Sequence, residues 1–158
     1  DNLFEHVEDP ARVLGEMHRV LRPGGLVLIP AFVAIRTKHG LHLKYGLRIP
    51  WANLVFSETT IVDVLRLQAK KRPELFDVYP GLLGNPKRVR DVRRHRDLNG
   101  LGFSEFLVLA EEAGFKVRDF RANGTVAGRA LFRIAPRVAS TRIGEVLSVS
   151  ASAVLVKS

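Results

Sequence analysis

DNLFEHVEDPARVLGEMHRVLRPGGLVLI, residues 1–29, reads as the end of one strand, a helix and a second strand, which is most of a βαβ crossover. Asp9 suits the N-cap, because its carboxylate accepts an otherwise unpaired first-turn amide, and Pro10 suits the first helical position, where no donor is needed. Val13, Leu14, Met17, Val20 and Leu21 recur with helical period, while Arg12, Glu16, Arg19 and Arg22 stay off that stripe. Pro23, Gly24 and Gly25 stop the helix. Leu26 to Ile29 is an unbroken aliphatic run that predicts a strand buried on both faces, closed by Pro30.

The order Leu3-Phe4-Glu5-His6-Val7-Glu8-Asp9-Pro10, then Leu14, Glu16, Arg19, Val20, Leu21, Pro23, Gly24, Gly25 and a strand, resembles the middle of the class I S-adenosylmethionine-dependent methyltransferases, of the type 11-like kind. In that family it is the end of the fourth strand, a helix and the fifth strand. The resemblance implies an α/β fold: a partial Rossmann-like domain with strands five, six and seven and flanking helices, the N-terminal strands missing. Asp1 falls where the family leaves a central strand, so residues 1–158 are expected to be the C-terminal half of one domain. The missing half would carry the first three strands and most of the fourth.

Two later stretches extend the resemblance. FSEFLVLAEEAGFKV, residues 103–117, is similar to the family's helix and sixth strand. From the residues alone, Ser104 begins a helix with Phe106, Leu107, Leu109, Ala110 and Ala113 on its buried side, ended by Gly114. Phe115 to Phe120 follows as a strand whose inside-outside alternation slips at Asp119 and Phe120, the mark of a bulge or an early end. From Val146 to Val156, apolar residues alternate with Ser148, Ser150 and Ser152, a strand period. By resemblance it is the seventh strand, antiparallel and inserted between the fifth and sixth.

Between these lies an expected acceptor-side insertion at about residues 31–102. Residues 31–56 have no sustained period and hold Phe32, His39, His42, Tyr45, Trp51 and Phe56, directly after a strand's carboxyl end, where ligands bind in open α/β sheets. His39, His42, Tyr45 and Trp51 are the acceptor-binding candidates; the alternative is a satellite core with Trp51 packed for its size. Ser57 predicts an N-cap, Ile61, Val64 and Leu65 an apolar face, and Pro73 a stop. Residues 125–144 predict a helix interrupted at Pro136, with Arg129, Arg133, Arg137 and Arg142 facing water.

At 158 residues and 46% hydrophobic content, the sequence has about one domain's length, with no run of ~20 apolar residues that would span a membrane. The N-terminus lacks a signal-peptide core, which makes the cytoplasm the default expectation. The absence of cysteine excludes thiol catalysis and cysteine-ligated zinc within these residues. The net charge of +9 is partly local, with six Lys and Arg between Lys87 and Arg96. No aromatic residue interleaves them, so nucleic acid is an unfavoured partner, whereas contact with an anionic membrane surface is compatible.

Methyl transfer from a sulfonium donor needs alignment, exclusion of water and, for some acceptors, a base, so few residue types are obligatory. The resemblance implies S-adenosylmethionine as cofactor of the whole domain and an unidentified small-molecule, lipid or glycan-precursor acceptor. It places Asp1, Asn2, Leu3 and Phe4 beside the cofactor. His6 is the catalytic candidate, as an imidazole that titrates near neutrality, although the Glu5-His6 pair can equally hold the loop against the next helix. The donor site's glycine-rich turn and acidic residue are not in these residues, so weak cofactor binding and poor stability are expected of this chain alone. No metal site is expected, because Gly40 stands between His39 and His42 and no carboxylate is near. Two rival readings remain: a non-catalytic basic binding module on a degenerate methyltransferase fold, and a Rossmann-like enzyme using a nicotinamide.

Overall fold

In the computed structural model, which describes residues 3–40, 49–72 and 98–158, the Asp9 carboxylate accepts the Arg12 amide at 3.0 Å and opens helix α1, Pro10–Val20. The buried face of α1 is centred on fully buried Leu14, with Val13, Met17 and Leu21 against the core. At 100° per residue, Val20 falls just beyond the edge of that face, and it is 67% exposed rather than part of the stripe. Gly24, with φ +76°, turns the chain into strand β1, Leu26–Phe32.

Strand β2 spans Phe115–Gly124 and β3 spans Ser148–Lys157. The order is β1-β3-β2, with β3 antiparallel to both neighbours, as expected for a last strand inserted between the other two. Lys157 also ties the sheet to α1, its ammonium donating to the carbonyls of His18 and Leu21.

Three expectations for the strands are corrected. The β1 run is buried on one face only: Ile29 and Phe32 face the core, while Leu26 and Leu28 are 53% and 68% exposed. They share the open face with their partners Val156 and Val154, whereas α1 and α4 (Phe103–Glu112) cover the other side. Pro30 does not end the strand; it sits where the register shifts between Ile29 and Phe32, on an edge strand that spares its missing amide. β2 continues to Gly124 past a bulge at Arg118, next to the predicted slip, and a second bulge at Val149 turns Ser148 inward.

The core gathers aromatic rings between the sheet and the two helices: Phe32 packs on Phe103, Phe106 and Phe4, and Phe103 packs edge-on against Phe120. Helix α4 begins one residue earlier than the Ser104 reading. Its N-cap is Gly102, which has no side chain to offer, and the Phe103 amide instead donates to the Glu145 carboxylate at 3.1 Å. His18 is partly covered, its ring edge-on to Phe115 at 5.1 Å.

The insertion contributes α2, Ala52–Val55, and α3, Glu58–Lys71. The Ser57 hydroxyl caps α3 by accepting the Thr60 amide. Ile61, Val62 and Leu65 are its buried residues and lie outside the core cluster around Phe32. After β2 come α5, Val126–Ile134, a 3-10 turn over Pro136–Ser140, and α6, Arg142–Val146, so the predicted helix is indeed interrupted at Pro136.

Candidate functional site

Phe4–His6 forms a 3-10 turn against the carboxyl end of β1, with the Phe4 ring edge-on to Phe32. Asn99 fastens that turn: its side-chain amide donates to the Phe4 and Val7 carbonyls at 2.8 and 3.1 Å, and its backbone amide donates to Glu5. The turn therefore offers outward the side chains of Leu3, 70% exposed, and His6, while Phe4 is buried. Glu5 is 3% exposed, and burial pushes its carboxyl up, against the opposing effects of its own amide, of His6 and of the Val33 amide.

Residues 33–40, which continue from β1, are fixed by backbone polar contacts. The Ile35 amide donates to Leu101, the Lys38 amide to Ser148 and the Asn53 side-chain amide to Ile35. Thr37 is fully buried and donates its hydroxyl to the Ala34 carbonyl at 2.8 Å. Gly40 packs on the Ile35 carbonyl so closely that a Cβ there would overlap it.

Trp51 bridges this segment to α6. Its backbone amide donates to Lys38, and its indole N–H donates to the Val146 carbonyl at 2.7 Å. It also has a φ of 55°, an uncommon backbone for a bulky residue. Such a conformation persists only where the surroundings hold it, and the two hydrogen bonds supply that hold.

The polar centre of this end is a cluster the sequence reading did not single out. Glu145, with no exposed surface, accepts the Arg36 amide at 2.9 Å and the Phe103 amide, and faces the Arg36 guanidinium at 3.4 Å. Arg36 also pairs with Glu105 at 3.1 Å. The Glu105 hydrogen bond raises the Arg36 pKa despite partial burial. Burial alone would raise Glu105, but its own amide and Arg36 outweigh that and hold its carboxyl below the usual range. The available signal was Glu145 itself, a lone acid in the Ser- and Ala-rich run from Ala139 to Ala153.

Of the predicted site residues, Leu3, Phe4 and His6 share one turn, and Trp51 is joined through its amide to Lys38, the neighbour of exposed His39. Asp1, Asn2, His42, Tyr45 and the basic run at 87–96 lie outside the described residues. A cavity of about 450 Å³ lies beside this end, lined by Ser104, Glu105, Val108, Leu109 and Arg142. Among the described residues, no group of three or more His, Asp or Glu side chains is gathered as metal ligands would be.

Comparison with known families places a methyltransferase domain on residues 1–29, the turn, α1 and the first half of β1. The resemblance of the opening segment to the class I methyltransferase domain therefore stands on that stretch, at the N-terminal end of this chain, and the match does not reach residues 103–117. Neither curated proteins nor solved structures gave a match.

Proposed function

We infer that residues 1–158 are the C-terminal part of a Rossmann-like class I domain that transfers a methyl group from S-adenosylmethionine to a small-molecule, lipid or glycan-precursor acceptor. The observation that carries this reading is the strand order. The matched segment runs into β1, and an antiparallel β3 lies between β1 and β2, as expected for strands five, seven and six.

In this reading the cofactor lies at the carboxyl end of β1. Asp1, Asn2, Leu3 and the turn that follows would flank it, with His6 exposed beside it as proton acceptor where the methylated atom must lose a proton. The cofactor supplies an activated methyl group. Phe4 has its ring in the core and its carbonyl bonded to Asn99, so its part is to hold the turn. The segment at 33–40 and Trp51 form the acceptor side, kept in place by Glu145 and Asn53 through backbone contacts.

A preceding half of the same domain is the partner this reading requires, and the open apolar face at Leu26 and Leu28, on the outer strand of the described sheet, supports it. The test is calorimetric titration of S-adenosylmethionine into the protein encoded by the whole reading frame around these residues, alongside residues 1–158 alone. Micromolar binding by the first and weak binding by the second is expected. A whole-frame protein that binds none of it would overturn the reading.

A further inference from the structure

Between Asp119 and Glu145 the sequence has no acid and five arginines. Two of these are occupied: Arg121 pairs with Asp119 at 2.8 Å, and Arg142 lies close enough to Glu105 to lower its pKa. Arg129, Arg133 and Arg137 are exposed and take part in none of the ion pairs among the described residues.

Helix α5 turns Gly128, Leu131 and Phe132 toward the protein, Gly128 against Leu147. At 100° per residue the remaining positions form one continuous outer arc, in the order Arg129, Arg133, Val126, Ala130, Ile134, Ala127. That outer face is therefore cationic along one side and apolar over the rest, with Val126 79% and Ile134 84% exposed. Among the described residues these are the two most exposed large aliphatic side chains, and they stand together on one face.

We propose that the outer face of α5 docks the protein in the plane of an anionic phospholipid surface. Val126 and Ile134 enter the acyl boundary, and Arg129 and Arg133 meet lipid phosphates. Apolar and basic residues on one arc are what an in-plane interfacial helix needs, since each lipid component recognises one of them. Nucleic acid would use the arginines but leave the aliphatic residues without a role, and no aromatic ring stands on the arc for base stacking. This inference is independent of methyl transfer.

The chain has no cysteine, so Ile134→Cys carries a single environment-sensitive dye on the apolar part of the arc. Vesicles of phosphatidylcholine containing phosphatidylglycerol should shift its emission to the blue, and pure phosphatidylcholine vesicles should not. In co-sedimentation at low salt, Arg129→Ala with Arg133→Ala should weaken binding roughly thirtyfold, from about 1 kcal/mol per surface-apposed arginine. Val126→Ser with Ile134→Ser should weaken it about tenfold and persist at high salt, where charge is screened. An unshifted dye, or vesicle binding indifferent to the Val126 and Ile134 replacements, overturns the proposal. So does equally tight binding of polyuridylate by the wild type and by the serine variant, which would mark a general polyanion surface.

Discussion

A carboxylate with no exposed surface, Glu145 holds two backbone amides and a guanidinium at once. Glu145→Ala strands the Phe103 and Arg36 amides and unbalances Arg36, so we expect a loss of about 3 kcal/mol in urea unfolding, with Glu145→Gln retaining part of it. Two other carboxylates, Glu105 and Glu5, give stability opposite pH dependences. Glu105 titrates below its ordinary value of 4.5 when folded, so its contribution is complete above that value and is lost as pH falls through the lower folded value. Glu5 titrates above 4.5 when folded, so stability is lost as pH rises from the ordinary value through the raised one. Glu5→Gln should therefore raise the Tm at neutral pH and leave it nearly unchanged at pH below the ordinary carboxylate value. Thermal unfolding across that window checks the sign, and a lower Tm at neutral pH would refute it.

At the scale of elements, Thr125 caps α5 by accepting the Gly128 amide, and its hydroxyl also donates to the Leu147 carbonyl at 3.0 Å. Thr125→Ala removes both, and we expect a loss of about 1 to 2 kcal/mol in urea unfolding with the sheet intact by far-ultraviolet circular dichroism. Elements with a local signal were legible in the sequence. The caps Asp9 and Ser57, the stop at Gly114, the break at Pro136 and the bulge beside Asp119 all rest on chemistry within a few residues. What was not legible depends on distant partners. The start of α4 shifted to Phe103 because its cap comes from Glu145, more than forty residues on, and His18 was drawn inward by Phe115. The Glu5-His6 pair was legible as a candidate, but the clasp of Asn99 on its turn was not, since nothing local marks Asn99 for that task.

For the molecule as a whole, the unequal faces of the sheet matter most. Alternation within β1 cannot say which face a helix will cover, and a continuous aliphatic run reads as covered on both. With Leu26 and Leu28 open on the edge strand, the chain should self-associate at high concentration through that edge. Leu26→Lys with Leu28→Lys should reduce that association in sedimentation velocity while changing the Tm little, because neither side chain lies in the core. Unchanged association would place the contact elsewhere, the outer face of α5 being the next apolar surface to examine.

The central place of β3 also sets a clock. Leu26 pairs with Val156, so the hydrogen-bonding groups of β1 wait for a partner made well over a hundred residues later. At ribosomal speeds of about 5–20 residues per second, that interval is on the order of ten seconds. Throughout it the side of β1 that β3 will cover stays unpaired, a span in which chaperone capture competes with mispairing.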